Sequence, residues 1–269
     1  MIINGLPGDS LNAHDRGLMY GDGVFRTLLV RQGKPQFWPQ HYSKLQHDCA
    51  AIGIECPPVQ LLSEELSQLA ASRADGIAKI IITRGLGSRG YAPLPNPQVT
   101  RILNISPIPE YPEANARLGI KVHLCNLRLG HQPRLAGIKH LNRLENVLAA
   151  AEWSAQDIAE GIMLDEADHI IEGTRSNLFL VRDGKLYTPD LGHCGVAGLQ
   201  RDRVMEHAGL HGMLCSVAKL TRDDLLAADE VFVVNSVIGL WPVREMPGFS
   251  RTHFPISFQI QEWLSNELY

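Results

Sequence analysis

The sequence predicts a mixed α/β (α+β) chain divided into two domains, and three observations carry that expectation. Apolar runs rich in β-branched residues, such as 77–83 and 231–234, alternate with stretches whose apolar residues recur at helical spacing. The segment 107–115 contains three prolines and no apolar period. It marks a linker, so a smaller N-terminal α/β domain is expected over 1–112 and a larger C-terminal domain over 113–269. Finally, 269 residues with 45% hydrophobic and 20% charged content are enough to bury one large core or two ordinary ones.

Met1 to Asn4 reads as a short strand stopped by Gly5, Pro7 and Gly8. After the glycine-punctuated loop Asp15–Gly23, residues 24–30 form a strand rich in β-formers. A turn at Gly33 precedes a shorter strand at 36–38. Pro39 opens a helix with the apolar stripe Tyr42, Leu45, Cys49, Ile52; beside it His41, Lys44 and Asp48 form a polar stripe, which by spacing alone is a solvated face. A second helix follows Pro57-Pro58 and buries Leu62, Leu66, Leu69 and Ala70. Strands are expected at 77–83 and 100–105, and beyond the linker at 120–127, 161–164 and 170–171. From Leu141 the residues Leu141, Leu144, Val147, Leu148 and Ala151 make one helical face. A strand at 178–181 ends in the hairpin turn Asp183-Gly184. A helix runs from Leu199 to a stop at Gly209, a buried strand covers 231–234, and a terminal helix covers 256–268.

A formal charge of −4 offers no basic surface for nucleic acid. The five cysteines are odd in number and free of any C-x-x-C spacing, which speaks against a disulfide framework or a zinc site and for a reducing compartment. No metal ligand set is expected. The N-terminus lacks a basic n-region and no run approaches the length of a membrane span, so a cytoplasmic protein without signal peptide or membrane segment is expected.

Four stretches could carry chemistry. Lys139 sits in a short apolar turn, among Ala136, Gly137 and Ile138, ahead of a helix. A desolvated lysine loses its proton more readily, and a neutral ε-amine is what Schiff-base chemistry needs, although a lysine before a helix is usually solvated. Gly85-x-Gly87-x-x-Gly90 after a strand matches a dinucleotide fingerprint, but Pro93, Pro95 and Pro97 forbid the helix that fingerprint requires. The alternatives are a loop whose Arg84, Arg89 and Tyr91 grip a carboxylate and a solvated hairpin loop. Glu172 leads from a strand through Gly173 toward another strand, and Gly195-Val-Ala-Gly198 opens a helix. Free N–H groups and the helix dipole make such a turn an anion site, though glycine before a helix is common without any ligand.

Together, Asp15-Arg16-Gly17 with Gly21-Asp22-Gly23-Val24-Phe25, the Ile138-Lys139 turn, Glu172-Gly-x-x-x-Asn177-Leu178-Phe179 and Gly198-Leu199-x-Arg201 resemble the fold-type IV pyridoxal-phosphate enzymes. That family holds the branched-chain and D-amino-acid aminotransferases and the aminodeoxychorismate lyases, and the resemblance covers essentially the whole chain. The stretches 84–91 and 135–143 look most like the lyases. The resemblance implies a two-domain, aminotransferase class IV-like fold with pyridoxal 5'-phosphate in the cleft between the domains. It implies a homodimer acting on a small molecule, with no nucleic acid or membrane partner. Lys139 would be the cofactor lysine and the group that moves the substrate proton, and Glu172 would face the pyridine nitrogen. Leu199 and Gln200 would hold the phosphate through backbone N–H groups, with Ser236 and Val237 as a second contact. Lys44 stands where the family usually has a phosphate-binding arginine, keeping the charge without the bidentate fork. Asn177 is placed with the cofactor; Arg84, Arg89, Tyr91 and Phe25 with the substrate. The implied reaction converts 4-amino-4-deoxychorismate to 4-aminobenzoate and pyruvate, a step of folate biosynthesis. The alternatives are a D-amino-acid or branched-chain aminotransferase, or a non-catalytic binding protein on the same scaffold. Arg26, where the aminotransferases commonly carry an acid, counts against transamination.

Overall fold

The computed structural model describes residues 1–266, and the last two positions of the expected terminal helix lie outside the described residues. The chain sorts into two compact units, one formed by Met1–Pro109 with Ile138–Asn142, the other by Glu110–Gly137 with the chain from Arg143 onward.

The first unit contains β1 (Ile2–Ile3), β2 (Leu6–Pro7), α1 (Arg16–Tyr20), β3 (Gly23–Arg31), β4 (Lys34–Pro35), α2 (Trp38–Ala51), α3 (Val59–Ala71), β5 (Gly76–Thr83) and β6 (Thr100–Ser106). Its strands make a six-stranded sheet in the order β2-β1-β6-β5-β3-β4, every pair antiparallel. Alternation along β3 decides the layers: Val24, Arg26, Leu28 and Val30 are buried, while Phe25, Thr27 and Leu29 keep partial exposure on the other face. Leu45 and Cys49 of α2 and Leu62, Leu66 and Leu69 of α3 share one apolar core with Leu28, Val30, Ile80, Ile82 and Leu103. The polar stripe of α2 is not a solvated face, because His41 and Asp48 are buried. The expected strand at 36–38 is replaced by β4, because Gln32 and Gly33, both at positive φ, turn the chain earlier and Trp38 already starts α2.

The second unit contains α4 (Ala114–Arg117), β7 (Ile120–Leu129), α5 (Leu144–Ala150), β8 (Ile158–Asp165), β9 (Ile170–Gly173), β10 (Asn177–Arg182), β11 (Lys185–Pro189), α6 (Leu199–Leu210), β12 (Cys215–Ala218), α7 (Arg222–Leu226), β13 (Glu230–Asn235), β14 (Gly239–Met246), β15 (Phe249–Ser250) and α8 (Pro255–Asn266). The sheet runs β12-β11-β10-β13-β14-β7-β8-β9, with β15 added to β14 and a mixture of parallel and antiparallel pairs. β10 and β13 are apolar on both faces. Leu178, Leu180, Val231 and Val233 point into one cluster, and Phe179, Val181, Phe232 and Val234 into another that α6 and α8 cover with Val204, Ala208, Ile260 and Leu264.

Two expectations change around residue 140. The segment 138–142 is extended and bonds to β3, so the helix begins only at Leu144. Its expected buried face is turned outward: Leu144, Val147 and Leu148 are 69%, 61% and 53% exposed, and only Ala149 packs inward. At the far end, α6 runs through Gly209 to Leu210.

Gly85 lies at φ +83°, where a Cβ would meet the Gln98 carbonyl oxygen at 1.8 Å, whereas Gly33 at φ +74° has open space around it. Urea denaturation should therefore show Gly33→Ala losing only the left-handed penalty, about 1 kcal/mol. Gly85→Ala should lose clearly more, because the β5–β6 loop must move as well.

Candidate functional site

In the first unit the Lys139 backbone is held on both sides. The Phe25 N–H donates to the Lys139 carbonyl at 2.9 Å, and the Lys139 N–H donates to Asp48 Oδ2 at 3.2 Å. The Leu141 N–H donates to the Gly23 carbonyl at 2.9 Å, and Asn142 Nδ2 to the Gly21 carbonyl at 3.0 Å. These bonds fix where the Cα–Cβ bond of Lys139 points. Its Nζ lies 4.6 Å from the Phe25 ring centroid, and Lys79 Nζ lies 4.8 Å from the same ring. Asp48 also receives the Arg26 guanidinium in a buried ion pair. Burial pushes the Asp48 carboxyl up, against the pull of Arg26 and the Lys139 N–H. The local sequence offers Lys139 no charged neighbour; α2 supplies one. Lys44, on the same helix, is half-buried, and its carbonyl accepts from Arg26 Nη2 at 3.3 Å.

Arg84, expected at the substrate, also braces the loop after β5: Nε donates to Asp22 Oδ2 at 2.8 Å, Nη1 to the Gly53 carbonyl at 2.6 Å and Nη2 to the Ile52 carbonyl at 2.7 Å. Arg16, which sequence reasoning left without a role, shares Asp22 at 2.8 Å and binds the carbonyls of Gly90 and Tyr91 at 3.2 and 2.6 Å. Arg89 and Tyr91 stay exposed, with the Tyr91 ring 5.4 Å from that of Tyr20. Arg16 was findable in principle, as an arginine beside Asp15 and Gly17 with Asp22 six residues on; its other two partners lie 74 and 75 residues away along the chain.

In the second unit Glu172 and Asn177 build the turn before α6. Glu172, 3% exposed, accepts the Val196 N–H on Oε2 at 2.8 Å. Asn177 donates Nδ2 to the Val196 carbonyl at 2.7 Å and accepts the Gly198 N–H on Oδ1 at 3.0 Å. A Cβ on Gly198 would stand 2.3 Å from Asn177 Oδ1, so any other residue here would displace the side chain that accepts its N–H. Gly198 caps α6 with no side-chain hydrogen bond of its own, and Leu199 and Gln200 stand in the first turn, where backbone N–H groups have no partner within the helix. Glu160, also unsuspected, ties the 173–176 turn by accepting from the Thr174 N–H and hydroxyl and from the Ser176 hydroxyl. Between β13 and β14, Asn235 Oδ1 accepts the Val237 N–H at 2.8 Å and so shapes the turn that carries Ser236 and Val237.

Among the described residues one cluster brings metal-type donors together: His131, Asp165 and Cys194, within 4.8 Å of one another. Asp165 is saturated by hydrogen bonds, from the N–H groups of Ala167 and His169 on Oδ1 and from His131 on Oδ2. Burial, and then the charges of Asp165 and Glu172, push the Cys194 thiol up to about 12. The cluster is a hydrogen-bonded turn around a protonated thiol.

The family model described as amino-transferase class IV matches residues 23–246. An aminodeoxychorismate lyase of Vibrio harveyi is 39% identical, the alignment covering 96% of this chain and 94% of that protein. The crystal structure of 4-amino-4-deoxychorismate lyase from Pseudomonas aeruginosa superposes with a TM-score of 0.96 at 43% identity, over 99% of this chain and 98% of that one. A D-alanine aminotransferase of Bacillus licheniformis is 27% identical, over 96% of this chain and 92% of that one.

Burial opposes ionisation of Asp22, but hydrogen bonds from Arg84 and Arg16 outweigh it and hold the carboxyl below its ordinary 3.8. A depressed carboxyl stabilises the fold above its ordinary pKa, and that contribution is lost as pH falls through the folded value. Arg84→Ala should therefore unfold about 1–3 kcal/mol more easily at neutral pH. The gap to the parent, followed by urea denaturation, should narrow below pH 3.8, whereas Arg89→Ala should leave stability unchanged at every pH.

Proposed function

The chain belongs to the amino-transferase class IV family, and we propose that it is a pyridoxal-phosphate-dependent carbon–oxygen lyase converting 4-amino-4-deoxychorismate to 4-aminobenzoate and pyruvate. The observation that carries this reading is the pinned Lys139, in a chain whose relatives at 39% and 43% identity both bear the lyase name. The residues suit the cofactor. They offer a primary amine on a fixed backbone, a buried carboxylate, and a helix N-terminus reached through a turn held by Glu172 and Asn177.

Lys139 would hold the cofactor, whose aldehyde supplies the attachment point for the substrate's ring amine. Lys139 Nζ would take the proton from the carbon bearing that amine. When bound, the pyridoxal ring supplies a sink for the electron pair left on that carbon. Loss of the enolpyruvyl group from the neighbouring carbon makes the substrate ring aromatic, which drives the elimination one way. Glu172 would keep a proton on the pyridine nitrogen, and the Val196 N–H on Oε2 orients its carboxylate for this. The phosphate would be held by Lys44, by the N–H groups of Leu199 and Gln200, and by Ser236 and Val237. Asn177 would act by shaping the turn that presents those N–H groups. Arg89, Tyr91, Arg84 and Phe25 are assigned to the substrate.

D-alanine aminotransferase relatives favour transamination as the second reading, and Arg26 in place of an acid speaks against it. A binding protein without catalysis has little reason to retain both Lys139 and Glu172. The chain would work as a homodimer, for which the outward Leu144, Val147 and Leu148 offer an apolar face. It would work in the cytoplasm, where its five free cysteines stay reduced. Among the described residues no helix is long and apolar enough to cross a membrane.

With no 2-oxo acid present, the loaded protein should turn 4-amino-4-deoxychorismate into equal amounts of 4-aminobenzoate and pyruvate; amino transfer alone would hand it to the aminotransferases. Borohydride should fix a pyridoxyl group on Lys139, and Lys139→Ala should abolish turnover. Glu172→Gln should keep the cofactor and lose about 100-fold or more in rate. Leu148→Glu should shift the protein from dimer to monomer in light scattering.

A further inference from the structure

Arg26 and Asp48 form a buried ion pair, 3% and 1% exposed. Such a pair is rarely the most stabilising way to fill a core, since two apolar side chains of similar volume commonly do as well or better. Its geometry suggests another use. Asp48 Oδ2, the oxygen paired with Arg26, also accepts the Lys139 N–H at 3.2 Å. Phe25, beside Arg26 on β3, donates its N–H to the Lys139 carbonyl. Both peptide groups flanking the lysine Cα are therefore held, one by β3 directly and one by a carboxylate that β3 itself secures. A carboxylate doing this alone would favour the ammonium form of the neighbouring amine. The guanidinium, charged at every working pH, offsets it.

We propose that Arg26 and Asp48 are a positioning pair for Lys139: Asp48 fixes the peptide carrying the lysine, and Arg26 cancels the charge that Asp48 would otherwise impose on its nitrogen. The proposal rests on Lys139 being the cofactor lysine. The other titratable groups of the surrounding elements are His41, Tyr42, Lys44, His47 and Cys49 on α2, Arg31 on β3, Lys79 on β5 and His140 beside the lysine. They are the same in every variant below, so differences between variants report the pair.

The readout is the pH midpoint of the visible absorption band of the pyridoxal-phosphate-loaded chain, which follows the proton on the Lys139 nitrogen. Arg26→Gln leaves the carboxylate uncompensated and should raise the midpoint by about one pH unit. Asp48→Asn keeps a hydrogen-bond acceptor but leaves the guanidinium uncompensated, and should lower it by a similar amount. The double variant R26Q/D48N should return the midpoint to the parent value, and Arg26→Lys should leave it there. A purely structural pair would not give opposite shifts that cancel. Singles moving the midpoint the same way or not at all, or a double variant displaced as far as either single, would overturn the proposal. If one single variant fails to fold, the other against the double decides. Borohydride trapping on a lysine other than Lys139 defeats the cofactor-lysine reading and this proposal with it. Trapping on Lys139 with unmoved midpoints defeats the pair alone.

Discussion

The constraint on which the first unit's chemistry depends is the docking of residues 138–142 onto β3. That segment is extended, bridges Val24 through His140, and exchanges backbone hydrogen bonds with Gly23 and Phe25. Backbone pairing is directional and nearly strainless, so it sets a side chain's starting point more firmly than side-chain packing does. It requires glycine at position 23, where a Cβ would meet the Ile82 carbonyl oxygen at 2.6 Å and a Leu141 methyl at 2.8 Å. It also delays the following helix to Leu144, which turns an expected buried face outward.

Charge is used throughout as a fastener as much as a reagent. Asp22 gathers Arg16 and Arg84, and these arginines reach the backbone of 90–91 and 52–53, so one carboxylate organises a glycine- and proline-rich loop with few apolar contacts of its own. In the second unit Glu160 does the same for the 173–176 turn, and Glu172 and Asn177 for 196–198. Each of these groups is part-buried or buried and meets several donors or acceptors, the condition under which a buried polar network rigidifies a site instead of weakening it.

Within a family of shared fold, activity is decided by such local exchanges. A likeness over nearly the whole chain to proteins named as lyases and, more distantly, to an aminotransferase shows how far one scaffold can serve different outcomes. In this chain the position of a common aminotransferase acid holds Arg26, and the structure supplies its partner, Asp48, from the facing helix.

Periodicity alone located β3, β5, β6, β10, β13, α2, α3 and α6, because each buries a regular stripe or a continuous apolar run. It could not see β11, β12 or β14 as members of one sheet, since their pairing depends on neighbours far along the chain. Motifs marked Lys139, Glu172 and the Gly198 turn, whose residue types are constrained by local chemistry and backbone geometry. Sequence reasoning misses contacts that depend on a distant partner. The hold of Arg84 on Asp22, Ile52 and Gly53 is invisible in its own stretch, and Asp48, read as part of a solvated face, meets Arg26 and the Lys139 N–H inside. What the sequence determined by itself was where the regular strands and helices such as β3, β13 and α3 run, because an apolar stripe is a property of a few consecutive positions. Which charges are spent on holding the fold was decided only by the tertiary structure, because a hydrogen bond forms over about 3 Å of space, whatever the separation along the chain.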